Sequence, residues 1–284
     1  MNYQLGLIGY PLGHSLSPKI HTAALSAFNL QGNYSLFPIH PDDKQELFNL
    51  LTRVRAGEIH GLNVTIPHKQ NVIGFMDELT QTAKSIGAVN TIYMRDDKLI
   101  GDNTDAPGFL SDLKRVSNSS FIIPHSALVL GAGGSARAVV YALLNDGWNV
   151  TLAARRIEQA QKLADSFTNY QLPITNLADF PLLTFHLLVN TTPLGMTPNI
   201  ETSPLPENTV LSKRTFVYDL VYNPRETKLV RDARAQGLNA STGLGMLIEQ
   251  AALAFEKWTS HNPPRDILYQ AIESYFRLLS SFLF

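Results

Sequence analysis

Lys69 is the residue of this chain best placed to do chemistry. The segment Gly61-Leu-Asn-Val-Thr-Ile-Pro-His-Lys69 predicts a short buried strand over 62–66 that stops at Pro67. Proline cannot donate to a sheet ladder, and it restricts the residue before it. A lysine just past the carboxyl end of a strand lies where open α/β sheets bind ligands. Its ammonium can deliver a proton to a ketone oxygen and stabilise the charge that develops there. Asp105, in the polar run Asp102-Asn103-Thr104-Asp105, is the matching carboxylate. The two read as a proton-handling pair, with an ordinary ion pair between strand ends as the alternative.

Ser15 and Ser17 stand two residues apart in Gly13-His-Ser-Leu-Ser-Pro18. In extended backbone such residues point the same way, so the two hydroxyls suit a carboxylate. Ser17 also fits a plain N-cap, with Pro18 at the first helical position.

The third feature is Gly131-Ala132-Gly133-Gly134-Ser135-Ala136, a G-x-G-x-x-A pattern between an apolar strand over 127–130 and an alanine-rich helix over 135–144. The first glycine permits the tight turn, the second lets backbone approach a pyrophosphate, and Ala136 lets helix and strand pack closely. The helix N-terminus turns N–H groups toward the anion. The next strand, over 148–153, runs into Ala154-Arg155-Arg156. An NAD site usually carries an acid there for the ribose hydroxyl. Two guanidiniums suit a 2′-phosphate instead, so NADP is expected over NAD.

These residues need elements to hold them. Further strands are expected over 5–9, 33–39, 185–190 and 216–222, and a hairpin over 89–94 and 98–103 turns at Arg95-Asp96-Asp97. Helices are expected from Ser17, over 41–55, in a stretch reaching Ala83, and over 107–116, 157–167, 245–258 and 265–282. The strand–helix alternation argues for a parallel sheet covered on both faces. The expected fold class is α/β with two domains. Residues 1–108 and 245–284 form an α/β substrate domain, to which the C-terminal helices return, and 109–244 form a Rossmann-like doubly wound domain. The junction is expected near 105–118, crossed by the helix over 107–116, with a shift to small polar residues around 117–120.

A length of 284 residues allows two cores. Net charge is -1, so no bulk attraction to nucleic acid or anionic membrane is expected. The absence of cysteine excludes disulfides, thiolate nucleophiles and cysteine-bound metals. The eight histidines show no metal-ligand spacing. No apolar stretch reaches transmembrane length, and the N-terminus reads as a strand rather than a signal peptide. A cytoplasmic location is the default expectation.

The motifs together resemble the shikimate dehydrogenase family: SLSP at 15–18, NVTIPHK at 63–69, GAVNT at 87–91, GDNTD at 101–105, GAGGSAR at 131–137, NTTPLGM at 190–196, YDLVYNP at 218–224 and GLGMLIEQAA at 243–252. The resemblance runs nearly end to end. It implies NADP-linked interconversion of 3-dehydroshikimate and shikimate, in aromatic amino acid biosynthesis, by two domains facing a cleft. It implies Ser15 and Ser17 on the substrate carboxylate, and Thr65, Asn90, Asp105 and Gln250 on ring hydroxyls, with Tyr222 nearby. Lys69 would move the proton. Leu220, Gly243 and the Gly131 loop would line the cofactor. Ala154 stands where asparagine is common in the family, Thr22 likewise, and Ala106 replaces a frequent glycine. The competing readings are a dual quinate/shikimate dehydrogenase and a catalytically silent NADP-binding regulator. A homodimer is compatible with all three.

Overall fold

The computed structural model describes residues 1–117, 125–176 and 185–281. The chain forms two compact units, Met1–Thr104 with Ile248–Phe284, and Asp105–Leu247.

The first unit is built on a mixed six-stranded sheet. Its strands are β1 (Asn2–Gly9), β2 (Gln31–Pro38), β3 (Gly61–Val64), β4 (Glu78–Leu79), β5 (Thr91–Arg95) and β6 (Lys98–Asp102), in the order β2-β1-β3-β5-β6-β4. β1 pairs in parallel with β2 and β3, whereas β3–β5 and β5–β6 are antiparallel. The helices are α1 (Ser17–Ala27), α2 (Lys44–Arg55) and α3 (Gln81–Ile86). α2 forms because Asp43 accepts from the Glu46 N–H at 2.8 Å, and Arg53 and Arg55 complement the dipole in its last turn. Leu47, Leu50, Leu51 and Val54 recur at helical spacing, so one stripe is buried against Ile8, Leu62 and Ile92 of the sheet. Asp96 and Asp97 both take positive φ, 50° and 59°, as a two-residue hairpin turn requires.

The second unit carries a wholly parallel sheet of β7 (Ser126–Leu130), β8 (Asn149–Ala154), β9 (Ile174–Asn176), β10 (Leu187–Asn190), β11 (Phe216–Asp219) and β12 (Ala240–Thr242). The order β12-β11-β10-β7-β8-β9 is the doubly wound Rossmann arrangement, and it reverses direction between β7 and β10. β10 and β11 are buried throughout, which is why they are short apolar runs without alternation. The helices are α4 (Asp105–Val116), α5 (Gly134–Asn145), α6 (Ile157–Ala164) and α7 (Lys228–Ala235).

Two helices close the chain, α8 (Leu244–Thr259) and α9 (Arg265–Ser281). From Ile248 onward they belong to the first unit. There Trp258 donates from its ring N–H to the Ile92 carbonyl at 3.2 Å, and α9 packs on α1. The His21 ring, fully buried on α1, lies parallel to Tyr34 at 4.4 Å between centroids and 5.2 Å from Trp258. Burial pushes its imidazole down to about 3.

Several expectations are corrected. The strand before Lys69 runs Gly61–Val64 rather than 62–66. The expected helical stretch beyond it is broken into turns, a short 3-10 helix at Ile73–Phe75, the β4 strand and α3. The β4 strand contributes two paired residues only, too few to carry a period. α2 starts at Lys44, α6 ends at Ala164 and β11 ends at Asp219, each shorter than expected. α7, β9 and β12 were not foreseen. Asn118–Ser120 of the small polar run and Phe282 of the expected last helix lie outside the described residues. No helix among the described residues is long and apolar enough to cross a membrane.

Candidate active site

In the first unit the strand order changes hand at β1, so the segments after β1 and after β3 leave neighbouring strand ends. Backbone bonds join these segments. The Tyr10 N–H donates to the Ile66 carbonyl at 3.0 Å and the Thr65 N–H to the Ile8 carbonyl at 2.8 Å. Thr65 is half-buried at the start of the turn that carries Lys69.

Two anchors fix that turn. The His68 ring contacts the Ile39 carbonyl through Nε2 at 2.7 Å, and the Val89 N–H donates to the Lys69 carbonyl at 2.7 Å. Lys69 itself is only 9% exposed. Ser15 and Ser17 follow β1 at the start of α1. Ser17 is not the cap: Leu16 holds that position without a side-chain bond, and the Ser17 N–H donates to Ser15 Oγ at 3.3 Å. The Ser17 hydroxyl is therefore not spent on capping.

Asn90 is the hub beside this turn. Its Oδ1 accepts from the Thr104 N–H at 2.7 Å and the Thr91 hydroxyl at 2.9 Å. Its Nδ2 donates to Thr104 Oγ1 at 3.0 Å and to Gln250 Oε1 at 3.3 Å. Its carbonyl accepts from the Val64 N–H at 2.8 Å and from Asn63 Nδ2 at 3.2 Å. The structure thus joins Asn90 to Gln250 of α8, and backbone bonds through Val89 and Val64 seat the Lys69 and Thr65 segments next to Asn90 in chain order. Thr91 and Thr104 belong to the same network and were missed, although both stand inside the quoted GAVNT and GDNTD runs. Asp105 follows Thr104 directly, opens α4 and is 5% exposed.

The second unit gathers the remaining candidates at the carboxyl end of its sheet. Gly131 has φ +109°, and a Cβ there would meet Thr191 Oγ1 at 2.6 Å, so only glycine fits this turn. Gly133 occupies the N-cap of α5 with no side-chain bond, leaving the first-turn N–H groups of Gly134 and Ser135 without a side-chain cap. No atom lies within 4 Å of where a Gly133 Cβ would stand. Ala132 is half-buried between them. On β8, Ala154 is buried, and Arg155 and Arg156 just beyond it are exposed. Uncapped N–H groups, open space above a glycine and two exposed guanidiniums fit a phosphorylated dinucleotide.

At the other side of the switch point, Leu220 and Gly243 are pressed together: a Cβ on Gly243 would meet the Leu220 carbonyl oxygen at 2.2 Å. Tyr222 follows β11, and desolvation pushes its phenol above the ordinary range. Asn190, Asp219 and Thr227 form a buried cluster nearby that was not anticipated. Burial pushes the Asp219 carboxyl up to about 6, against the pull of bonds from Thr227, Val221 and Asn190. No group of three or more metal-binding side chains occurs among the described residues.

Known proteins match this chain along its length. A model described as the shikimate dehydrogenase substrate binding domain matches residues 7–92. One described as shikimate / quinate 5-dehydrogenase matches 117–228, and one described as the shikimate 5'-dehydrogenase C-terminal domain matches 243–273. Shikimate dehydrogenase (NADP(+)) of Carboxydothermus hydrogenoformans is 43% identical over 271 residues, covering 94% of this chain and 95% of the relative. The shikimate 5-dehydrogenase of Thermus thermophilus, solved with NADP(H) and shikimate, superposes with a TM-score of 0.84 at 36% identity, covering 96% of this chain and 99% of the other. Quinate dehydrogenase from Corynebacterium glutamicum, solved with NAD, gives a TM-score of 0.86 at 30% identity, with coverage of 96% and 99%.

Proposed function

The chain belongs to the shikimate dehydrogenase family, and from that membership we propose that it reduces 3-dehydroshikimate to shikimate with NADPH, reversibly, in aromatic amino acid biosynthesis. The observation that carries the residue assignment is the buried Lys69 on a doubly anchored turn, its carbonyl bonded by the Val89 N–H next to Asn90.

The substrate belongs to the unit of Met1–Thr104 and Ile248–Phe284, and the cofactor to Asp105–Leu247. The Gly131 loop would hold NADPH, with Arg155 and Arg156 taking its 2′-phosphate, and the bound cofactor would supply the hydride. Ala154, Leu220 and Gly243 line the rest of that site. The hydroxyls of Ser15 and Ser17 hold the substrate carboxylate. Thr65, Asn90 and Gln250 orient the ring hydroxyls, and Tyr222 borders them. Lys69 gives its proton to the ketone oxygen as charge builds there, and in the reverse direction takes it from the hydroxyl. Asp105 orients Lys69 and shares the substrate hydroxyl. A cytoplasmic setting fits an enzyme that draws on soluble NADPH and small soluble acids.

Quinate as a second substrate is favoured by the likeness to quinate dehydrogenase. Quinate adds a tertiary hydroxyl next to the carboxylate, so the Ser15–Ser17 pocket decides. NADPH oxidation with 3-dehydroshikimate tests the main reading, and comparable turnover of quinate and shikimate in the reverse direction would replace it with the dual one.

A further inference from the structure

The cluster at the carboxyl ends of β10 and β11 has no part in the chemistry just described, yet it spans the cofactor side of the sheet. Asn190 Nδ2 donates to Asp219 Oδ1 at 2.8 Å. The same carboxylate accepts from the Thr227 hydroxyl at 2.6 Å and the Val221 N–H at 3.0 Å. Asn190 Oδ1 accepts from the Thr192 N–H at 2.9 Å and its hydroxyl at 2.7 Å, and the Asn190 carbonyl accepts from the Leu220 N–H at 2.9 Å. Thr191 Oγ1 donates to the Leu130 carbonyl at 2.6 Å, immediately before Gly131. Asn190, Asp219 and Thr227 are fully buried.

These bonds form one bar across three adjacent strands. It begins at Leu130, beside the phosphate loop, and ends at Leu220 and Val221, against which Gly243 is seated. A buried carboxylate that accepts three donors, with a buried amide that both donates and accepts, holds loops in one arrangement because any slip leaves desolvated polar atoms unpaired. Two side chains of ordinary apolar type would seal the same core without fixing the loops.

We propose that Asn190 and Asp219 are positioning residues for the cofactor, holding the Gly131 loop and the Leu220–Gly243 contact in register so that both halves of the dinucleotide are bound at once. The inference rests on the cofactor assignment above. Neither side chain is asked to touch the cofactor; they act through Thr191, Thr192, Leu220 and Val221.

The test uses the full chain with Asp219→Asn, which keeps size and removes one of the two oxygens that serve three donors, and with Thr227→Val and Thr227→Ser as a matched pair. NADPH fluorescence titration and steady-state kinetics are read alongside thermal unfolding. The expected result is a NADPH Kd raised at least about tenfold and kcat lowered at least about tenfold in Asp219→Asn, consistent with losing hydrogen bonds to a charged group. The KM for 3-dehydroshikimate stays within a few-fold, and Thr227→Ser restores what Thr227→Val loses. Asp219→Asn folded with wild-type Kd and kcat overturns the inference. Should that variant not fold, identical NADPH binding by Thr227→Val and Thr227→Ser overturns it. A wild-type chain that binds no NADPH contradicts the cofactor assignment itself, a different result.

Discussion

The side-chain amide of Asn90 reaches Gln250 at 3.3 Å across 160 residues of sequence. That contact ties the end of the first sheet region to the helix that returns from the far end of the chain. It also sets apart two kinds of loss. Asn90 satisfies the buried Thr104 N–H and the Thr91 hydroxyl, whereas Gln250 contributes one bond to the hub. Asn90→Ala is expected to lower stability by about 1–3 kcal/mol, because buried donors lose their acceptor. Gln250→Ala is expected to raise the shikimate KM by about tenfold with a smaller stability change, the size of one or two lost hydrogen bonds. Urea midpoints and steady-state kinetics separate the two; equal destabilisation by both would refute the hub.

Gly133 offers a cleaner separation. Its φ of -86° is open to any residue, and no atom stands within 4 Å of an added Cβ. Gly133→Ala should lower the unfolding free energy by no more than about 1 kcal/mol, the modest cost of alanine in place of glycine at an N-cap. NADPH affinity should fall by about tenfold or more, because the methyl enters the path of the pyrophosphate. Unchanged affinity would remove the phosphate from this loop.

Arg155 and Arg156 are exposed and sit where a carboxylate would select NAD. Arg155→Asp is expected to weaken NADPH binding by about 10–100-fold, the worth of charge-assisted bonds, while NADH binding changes little or improves. Titration of both cofactors against both proteins reads the ratio directly. A preference that does not move would take the 2′-phosphate away from this residue.

His21 makes stability fall in acid. Its folded value, about 3, lies below the 6.5 of the unfolded chain, so the buried neutral ring stabilises fully above pH 6.5 and less as pH falls toward 3. The loss is on the order of 4 kcal/mol over that window. Asp219 acts with the opposite sign. Its value is raised from 3.8 to about 6, so its contribution is lost as pH rises through that range. Urea unfolding between pH 8 and pH 4 should show a net fall that His21→Leu abolishes, leaving the rise toward acid that Asp219 contributes. An acid limb that survives this substitution would assign it elsewhere.

Much of the fold was legible because its signals are local. The doubled aspartate of the hairpin, the glycine pattern between an apolar strand and an alanine-rich helix, and the leucine stripe of α2 each depend on neighbours within a few residues. The readings that failed were contests between local preference and tertiary contact. Ser17 beside Pro18 reads as a cap, but the chain seats Leu16 there. The residues after Lys69 read as helix, but the β4 strand is drawn out by pairing with β6. In the candidate site, Lys69 and the Gly131 loop were visible as residue types at strand ends. Thr104, Asn190, Asp219 and Thr227 were not, since their importance lies in which buried donor meets which acceptor, and spacing carries no record of that.

The central claim is that Lys69 moves the proton during ketone reduction. NADPH oxidation with 3-dehydroshikimate, followed by the loss of the reduced nicotinamide's absorbance for wild type and Lys69→Ala, tests it most directly. The account predicts turnover by wild type and a kcat lower by about 10²–10⁴ in the variant, with KM changed only a few-fold. A wild-type protein that leaves NADPH untouched, or a variant whose only defect is a raised KM, would contradict it.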